Sequence, residues 1–406
     1  MSPPTIKAGK DEGGEFSPLD ASVGEAGKPP FLLLLDSHLW GGAESYLWRM
    51  CREWLKLGVS IVVVCPKDGP VYGRFCELPL TACYQESLGV PTGRVRGLGS
   101  LALRLPGGSS RIRRILLRMR ERHGCGVLIC QDPREQVLAG ELARSMGYFS
   151  IWIFHSYLNY WIQRALLLPE LRRCARQVDR IFVISEATTR RFVQGGFPSA
   201  PLTSARVGID IPTHRSCGPL STFSVGVVSR LVEQKGIQDA LQAFGRLLSK
   251  FPDLELLIAG DGHYRPKLEK LAKNLRIERA VTFLGFVPDP WTVFGRLSLL
   301  VHPTFDPGDS MPTNILEAAA MGVPAIATRW SGIPEIVRDG ETGLLIPPRD
   351  VDALTTAMDR LLSDPQLRSR LGQAARERVV PRYGISTVAR EFLEGLPVQT
   401  QAAPGV

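Results

Sequence analysis

The sequence lacks the patterns that mark metal frameworks, disulfide scaffolds and membrane spans. Its eight cysteines are scattered without a CxxC pair, and its six histidines do not cluster with them. A zinc framework or a disulfide scaffold is therefore poorly supported. No stretch contains eighteen consecutive apolar residues, the length that a transmembrane helix requires. No GxGxxG motif follows the apolar run Phe31–Leu35, so a nicotinamide-dependent dehydrogenase is disfavoured.

The first thirty residues also lack the apolar segment of a secretory signal peptide. They are polar and rich in Gly, Pro and Glu, a composition that predicts a disordered tail over residues 1–29. With no secretory signal and no disulfide pattern, the protein is expected to be reduced and cytoplasmic.

Acidic residues are scarce relative to basic ones, but only in the first half of the chain. Up to Ser216 there are 28 basic and 19 acidic residues, whereas the remainder has 21 of each. The formal charge of +9 therefore belongs to the first half. This asymmetry predicts an acidic partner or an anionic surface for that half.

Short apolar runs alternate with helical patterns twice along the 406 residues. In the first half, strands are predicted at Phe31–Leu35, Ile61–Val64, Val127–Ile129, Ser150–Phe154 and Ile181–Ile184. In the second half, they are predicted at Phe223–Val228, Leu254–Ala259, Val281–Phe283, Ser298–Val301 and Ala325–Ala327. Such alternation is typical of parallel sheets covered by helices on both faces.

Two successive α/β domains, each Rossmann-like and doubly wound, are therefore predicted over residues 30–216 and 217–383. The last residues, 384–406, are expected to form a helix that packs back on the first domain, followed by a tail. Ligands of such sheets bind outside the carboxyl ends of the strands, so the site is expected in the cleft between the domains.

Two cations follow the first predicted strand of the second domain. Arg230 and Lys235 lie in the segment SRLVEQKG, where a loop faces the cleft. A guanidinium can bind phosphate oxygens with two hydrogen bonds and an ammonium adds a point charge, so this pair suits a diphosphate. The alternative is a pair of solvated loop cations.

A helix start in the second domain offers a further anion site. Pro312 can begin the helix and Ser310 can cap it, which would direct backbone N–H groups near Thr313 and Asn314 into the cleft. Asp309 and Glu317 frame this helix start, and their carboxylates can accept hydrogen bonds from sugar hydroxyls. Alternatively, Asp309 is an N-cap and Glu317 a first-turn residue favoured by the helix dipole.

These segments resemble glycosyltransferase family 4, whose GT-B fold has two Rossmann-like domains facing a cleft. The resemblance covers Phe31 to about Tyr383. The motifs that carry it are VGVVSRLVEQKG, LIAGDGH, FLGFV, LEAAAMGVP and GIPEIVRDGETGLLIP, in that order. Members transfer a sugar from a nucleotide sugar with retention of anomeric configuration, which the resemblance implies for this chain.

The resemblance also implies roles for individual residues. In the second domain, Arg230 and Lys235 would hold the donor diphosphate, and Glu317 would bind the ribose. The donor would also contact the loop and helix start at Asp309, Ser310, Met311, Thr313 and Asn314, and the base would meet the backbone near Phe286 and Val287. In the first domain, Gly41 and Gly42 resemble the glycine-rich turn at the cleft, and His155 the histidine beside the transferred sugar.

The sequence departs from the family pattern in two places. The usual Glu-x7-Glu motif here begins with Asp309 and ends with Glu317. Aspartate is one methylene shorter, and a displacement of about 1 Å at a reacting centre can cost about a hundredfold in rate. Val207 stands where the family often has Asn, so no catalytic role is assigned to that segment.

An arginine-rich helix is predicted at Ser110–Arg122. Apolar residues recur in it at helical spacing among six arginines. Docking on an anionic membrane and an ordinary role in covering the sheet are both open. Nucleic acid is not supported, because no binding motif accompanies the charge.

The expected function is that of a metal-independent retaining glycosyltransferase, a hexosyltransferase, which needs no cofactor besides its nucleoside diphosphate sugar. The acceptor would be a glycan, a lipid-linked molecule or a small molecule. An alternative is a catalytically weak or inactive nucleotide-sugar-binding protein, because Asp309 replaces the usual Glu.

Overall fold

The computed structural model describes residues 29–37, 39–66, 69–86, 99–156, 167–212 and 223–396. It contains two parallel sheets, of seven and six strands. The strand order is β3-β2-β1-β4-β5-β6-β7 in the first sheet and β10-β9-β8-β11-β12-β13 in the second. This is the predicted fold class, two successive doubly wound α/β sheets. The predicted tail at residues 1–29 lies almost wholly outside the described residues, and the domain bounds stay predictions.

The first sheet is built from short strands joined by helices. Its strands are β1 (Phe31–Leu34), β2 (Ile61–Cys65), β3 (Ala82–Gln85), β4 (Val127–Cys130), β5 (Phe149–Phe154), β6 (Arg180–Val183) and β7 (Leu202–Ser204). Its helices are α1 (Gly42–Lys56), α2 (Pro70–Phe75), α3 (Gly99–His123), α4 (Pro133–Ser145), α5 (Leu167–Ala175) and α6 (Glu186–Gln194).

The second sheet follows the same plan. Its strands are β8 (Ser224–Val228), β9 (Glu255–Ala259), β10 (Val281–Gly285), β11 (Leu299–His302), β12 (Ala325–Thr328) and β13 (Gly343–Ile346). Its helices are α7 (Ile237–Leu247), α8 (Arg265–Asn274), α9 (Trp291–Phe294), α10 (Thr313–Met321), α11 (Ile333–Ile336), α12 (Val351–Ser363), α13 (Pro365–Tyr383) and α14 (Ile385–Glu394).

The central strands read as continuous apolar runs because both faces of each sheet are covered. Successive residues of β1 point to opposite faces, so Phe31 and Leu33 belong to one core while Leu32 and Leu34 belong to another. On α7, the residues that face the sheet recur at helical spacing. The buried residues of α7 are Ile237, Ala240, Leu241, Ala243, Phe244 and Leu247.

The C-terminal helix α14 packs against α1 of the first domain. Trp54 donates its indole N–H to the carbonyl of Ala389 at 3.2 Å, and its ring centroid lies 4.8 Å from that of Phe392. The Ser386 hydroxyl donates to Glu53 at 2.7 Å. The chain therefore returns to the first domain after completing the second.

Candidate active site

The carboxyl ends of both sheets face a common cleft. Glu335 of α11 accepts hydrogen bonds from the backbone N–H groups of Glu186 and Ala187, at 3.0 and 2.8 Å, at the start of α6. A Cβ atom on Gly332 would lie 2.1 Å from the carbonyl oxygen of Ser310, so this junction requires glycine. The domains thus touch directly beside the loop that precedes α10.

Lys235 lies beyond the carboxyl end of β8 in the second domain. It follows β8 in a 3-10 turn, Glu233–Lys235, which ends at Gly236 with a φ of 69°. A Cβ atom there would lie 2.0 Å from the Pro303 carbonyl oxygen, so glycine lets the turn pack against the loop after β11. The Lys235 ammonium is buried and lies 2.7 Å from Asp309 Oδ2 and 3.3 Å from Asp306 Oδ2.

Arg230 lies on the same loop but is exposed. Within the described residues its guanidinium forms no ion pair, in contrast to the ammonium of Lys235. The predicted pair of cations therefore consists of one buried ammonium that already has carboxylate partners and one guanidinium directed to solvent. An anion entering the cleft can bind the guanidinium without displacing a protein carboxylate from it.

Asp309 is held by two side chains on one of its oxygens. Its Oδ2 lies 3.0 Å from His302 Nε2 and 2.7 Å from Lys235 Nζ. Burial alone would raise the pKa of Asp309, but its hydrogen bonds with His302 and Lys235 and the nearby positive charge lower it well below the ordinary value. Asp309 is therefore ionised at neutral pH, and its carboxylate is the fixed negative group of the site.

The start of α10 differs from the sequence expectation. Pro312, not Ser310, is the N-cap residue, and no side chain caps the helix, so the prediction that Ser310 caps it is wrong. The Ser310 hydroxyl is buried and has no hydrogen-bond partner within the described residues. The alternative role of Asp309 as the cap also fails, because its carboxylate binds His302 and Lys235 instead. The first N–H groups of α10, at Thr313 and Asn314, lie beyond any intrahelical partner.

Glu317 lies in the second turn of α10 and is partly buried. Burial raises its pKa to about 7, while the charge of Arg49 on α1 opposes this shift and that of Asp210 adds to it. Both neighbours belong to the first half of the chain, so Glu317 faces the other side of the cleft. Its carboxyl group is poised to titrate near neutral pH.

His155 follows β5 at the carboxyl edge of the first sheet. Its Nε2 lies 3.2 Å from Gln131 Oε1, and its ring meets Tyr46 of α1 edge to face, with the centroids 5.2 Å apart. Burial lowers the pKa of His155 to about 4, so the imidazole is neutral at pH 7. Sequence reasoning did not identify Tyr46 or Gln131, although Gln131 follows β4 directly at the same edge.

A cavity of about 500 Å³ lies between the two domains. It is lined by Tyr46, which touches His155, and by Met311, the neighbour of Ser310. Further lining comes from Glu335 and from the C-terminal helices α13 and α14. Met311 is the one predicted site residue that lines this cavity, so the cavity lies beside the cluster around Lys235 and Asp309 and does not contain it.

The glycine turn of the first domain starts α1. Gly41 is the N-cap residue, and its N–H donates to Glu44 at 3.0 Å. Beside Gly42 there is open space where a side chain would otherwise lie. This turn leaves the backbone at the helix start accessible from the cleft.

Phe286 and Val287 directly follow β10, the edge strand of the second sheet. The Phe286 side chain is 77% exposed and Val287 is partly buried. An exposed aromatic ring at the carboxyl edge of a sheet offers a flat apolar face to a ligand.

The arginines of α3 divide into two groups. Arg118 pairs with Glu86, and Arg120 bonds to the Met146 carbonyl oxygen. Arg113 and Arg114 are exposed, and Leu117, beside them, is 42% exposed. The sheet-covering role of the helix is real, since Ile112, Ile115, Leu116 and Met119 are fully buried.

The described residues offer neither a metal centre nor a membrane-spanning helix. They contain no group of three or more His, Cys, Asp or Glu side chains arranged to hold a metal ion. Within the same residues, no helix combines the length and the apolar character needed to cross a membrane. The seven cysteines that the structure describes form no disulfide with one another, and Cys217 lies outside the described residues. Asp350 is the N-cap of α12, accepting from the Ala353 N–H at 2.8 Å.

Comparisons with known proteins agree with this architecture. Residues 40–211 match the family described as Glycosyltransferase Family 4, and residues 219–378 match Glycosyl transferases group 1. The chain is 21% identical to Anabaena Alr3699/HepE, solved in complex with UDP, with a TM-score of 0.76 over 90% of this chain and 98% of that one. The fold is therefore GT-B, as predicted.

Two proteins related in sequence also match this chain. The chain is 30% identical to a GDP-mannose-dependent alpha-(1-6)-phosphatidylinositol monomannoside mannosyltransferase of Mycolicibacterium smegmatis, over 65% of this chain and 74% of that enzyme. It is 32% identical to an exopolysaccharide phosphotransferase of Streptomyces coelicolor, where the match spans 54% of this chain but only 23% of the relative. The chain belongs to glycosyltransferase family 4, and it is a glycosyltransferase of the GT-B fold.

Proposed function

We propose that this glycosyltransferase moves a hexose-type sugar from a nucleoside diphosphate sugar to an acceptor hydroxyl, with retention and without a metal ion. The observation that carries the proposal is the convergence of Lys235, Asp309 and the start of α10 at the carboxyl edge of the second sheet. A cationic group, a helix N-terminus and an ionised carboxylate there offer partners for a diphosphate and for sugar hydroxyls.

The donor diphosphate would bind between Arg230, Lys235 and the first N–H groups of α10. These groups are fixed before the reaction, and they oppose the negative charge that develops on the leaving diphosphate. Together they supply the neutralisation that a metal ion provides in other transferases. The Ser310 hydroxyl, which has no hydrogen-bond partner in the part of the chain that the structure describes, adds a donor or acceptor at the same loop.

Retention would follow from reaction on a single face of the sugar. As the bond from the anomeric carbon to the diphosphate oxygen breaks, the acceptor hydroxyl approaches from the same side. Its proton passes to the departing diphosphate oxygen while its oxygen bonds to the anomeric carbon. Asp309 would hold a hydroxyl of the transferred sugar, and His155, neutral at pH 7, would lie beside that sugar.

The ribose would bind Glu317, and the base would lie against the backbone near Phe286 and Val287. UDP is the nucleotide of the HepE complex, and GDP-mannose is the donor named for the mycobacterial relative. Both are nucleoside diphosphate species, which supports that donor class for this chain.

The acceptor would approach from the first domain, whose excess of positive charge suits an anionic acceptor or membrane surface. The mycobacterial relative is named for a phosphatidylinositol acceptor, which favours a lipid-linked molecule over a free glycan or small molecule. The exposed Arg113 and Arg114 of α3 would then contact anionic headgroups, with each cation contributing about 1 kcal/mol near such a surface.

A thermal-shift screen against a panel of nucleotide sugars tests the donor class. A ligand present at one hundred times its dissociation constant stabilises the folded protein by about 2.7 kcal/mol. We expect at least one nucleoside diphosphate hexose to raise the melting temperature and to be turned over with an acceptor. A donor that binds tightly but is neither transferred nor hydrolysed would favour the alternative, an inactive binding protein in which Asp309 cannot perform the role of the usual Glu.

A further inference from the structure

We propose that His302 is a positioning residue that holds the Asp309 carboxylate in the orientation in which it meets the donor sugar. The proposal rests on the proposed function, in which Asp309 binds that sugar. His302 ends β11 and is buried, with its side chain 4% exposed. It therefore acts through Asp309 and not by touching the donor itself.

The carboxylate of Asp309 is held on one side only. Its Oδ2 forms a hydrogen bond with His302 Nε2, at 3.0 Å, and an ion pair with Lys235 Nζ, at 2.7 Å. Its Oδ1 forms no hydrogen bond with the part of the chain that the structure describes. One oxygen is thus fixed by the protein, and the other is left for a hydroxyl of the ligand.

Asn314 determines which ring nitrogen of His302 carries the proton. The Asn314 amide nitrogen lies 2.6 Å from the Val228 carbonyl oxygen and 2.9 Å from His302 Nδ1. The Asn314 amide oxygen accepts the Ile315 N–H at 2.9 Å, which settles the orientation of the amide group. Both amide hydrogens are therefore donated, one of them to His302 Nδ1.

His302 Nδ1 must then be an acceptor, so the proton of the neutral ring is on Nε2 and is donated to Asp309. A proton on Nδ1 would place two donors face to face between His302 and Asn314. The result is a directed chain of hydrogen bonds from Asn314 through His302 to Asp309, anchored on the strand end at Val228. Because the buried His302 ring is held at both nitrogens, it loses little further conformational freedom when the nucleotide sugar binds.

This chain of hydrogen bonds accounts for aspartate in a position where the family usually has glutamate. His302 approaches the carboxylate from the strand behind it, and a glutamate would extend about one carbon–carbon bond, about 1.5 Å, past that contact. We therefore expect Asp309→Glu to lower turnover in this chain, although it restores the usual family residue.

The tautomer can be measured without any donor, by long-range proton–nitrogen NMR of the full chain labelled on histidine nitrogen. We expect His302 to carry its proton on Nε2 and to lose this preference in Asn314→Ala. Asn274→Ala, at the exposed end of α8, is the matched control. A proton on Nδ1 of His302 in the wild-type protein would overturn the proposal, whether or not the chain transfers sugar.

Kinetics of two His302 variants provide the second readout. Glutamine keeps one donor and one acceptor, so His302→Gln should retain turnover within about tenfold, whereas His302→Leu should lower kcat well over tenfold. Binding of the free nucleoside diphosphate should change less than twofold in both, because both variants keep the Lys235–Asp309 ion pair and, within the donor, Asp309 would contact only the sugar. Equal losses in folded Gln and Leu variants, or no loss in the Leu variant, would reject His302 as a positioning residue.

These two experiments separate the inference from the function on which it rests. If no nucleotide sugar is turned over by the wild-type chain, the proposed function fails, but the NMR result still decides the tautomer. If turnover is present and the tautomer is as expected, only the comparison of His302→Gln with His302→Leu decides whether the ring positions Asp309.

Discussion

Lys235 Nζ lies 2.7 Å from Asp309 Oδ2, so the group proposed for the diphosphate and the group proposed for the sugar are paired before any donor binds. The ammonium also lies 3.3 Å from Asp306, and its side chain is only 9% exposed. A diphosphate must therefore share Lys235 with two carboxylates. Arg230, exposed and without an ion pair in the described residues, is the cation with no competing carboxylate.

We expect Arg230→Ala to lower turnover by more than tenfold, because removing one fixed donor to a developing anion typically costs about 10² to 10³ in kcat. Lys235→Ala should lose at least as much, since it also leaves Asp306 and Asp309 without their common cation. Arg279→Ala, an exposed arginine of the same domain, is the control and should leave turnover unchanged. Steady-state turnover of the nucleotide sugar measures the effects of Arg230→Ala and Lys235→Ala. Activity within twofold of wild type in these variants would rule out Arg230 and Lys235 as the groups that bind the diphosphate.

Asp309→Asn should lower turnover well over tenfold but should not lower the affinity for the free nucleoside diphosphate, because that ligand contains no transferred sugar and Lys235 then has one carboxylate fewer to share. Asp253→Asn, at an exposed loop position in the same domain, is the matched control. Calorimetric titration with the nucleoside diphosphate and a turnover assay separate the two effects. Equal losses in binding and turnover would make Asp309 a structural residue of the loop.

Glu317 should make donor binding depend on pH near neutrality. Its pKa of about 7 in the folded chain means that the carboxylate, the better acceptor of ribose hydroxyls, forms as the pH rises through 7. Donor affinity should therefore increase from pH 6 to pH 8 in the wild-type protein and stay flat in Glu317→Gln. A wild-type affinity that does not change over this range would contradict the assignment.

The same shift predicts a change in stability. Between the ordinary value of 4.5 and about 7, the folded state binds more protons at Glu317 than the unfolded state does. The free energy of unfolding should therefore fall as the pH rises through this window. Glu317→Gln removes that contribution, so its melting temperature relative to wild type should increase from pH 5 to pH 8.

Membrane association, if it occurs, should depend on Arg113 and Arg114. Arg118, which the sequence places in the same basic group, is paired with Glu86 and is not available. Co-sedimentation with vesicles should require anionic lipid and fade with salt, since the Debye length falls from about 10 Å at 0.1 M to about 3 Å at 1 M. Arg113→Gln with Arg114→Gln should abolish binding, whereas Lys273→Gln with Arg279→Gln, exposed in the second domain, should not. Equal binding to neutral and anionic vesicles would contradict the electrostatic contact.

The central strands were predictable because burial on both faces leaves an unbroken apolar run. Three edge strands, β3, β7 and β13, were not predicted. β3 (ACYQ) and β7 (LTS) are short and every residue in them is at least partly exposed, so they lack the unbroken buried run of the central strands. β13 is short and apolar, but four residues bounded by turns give too little periodicity to distinguish a strand from a loop.

The location of the site was predictable to the same extent, but the hydrogen bonds and contacts between its side chains were not. Arg230, Asp309 and His155 follow or face strand ends, which are visible in the sequence. His302 begins the same segment as Asp309, yet only the structure shows its ring against that carboxylate, because hydrogen-bond partners depend on rotamers. Gln131 and Tyr46 reach His155 from other elements, and no local pattern records such a contact.

The most direct test of the central claim is the anomeric configuration of the product formed in the presence of EDTA. The wild-type chain is incubated with a nucleoside diphosphate hexose found in the thermal-shift screen and with an acceptor, and the new glycosidic linkage is assigned by proton NMR. We expect transfer at an undiminished rate in EDTA, a product with the anomeric configuration of the donor, and loss of that product in Lys235→Ala. An inverted linkage, or transfer that EDTA abolishes and a divalent cation restores, would contradict the account.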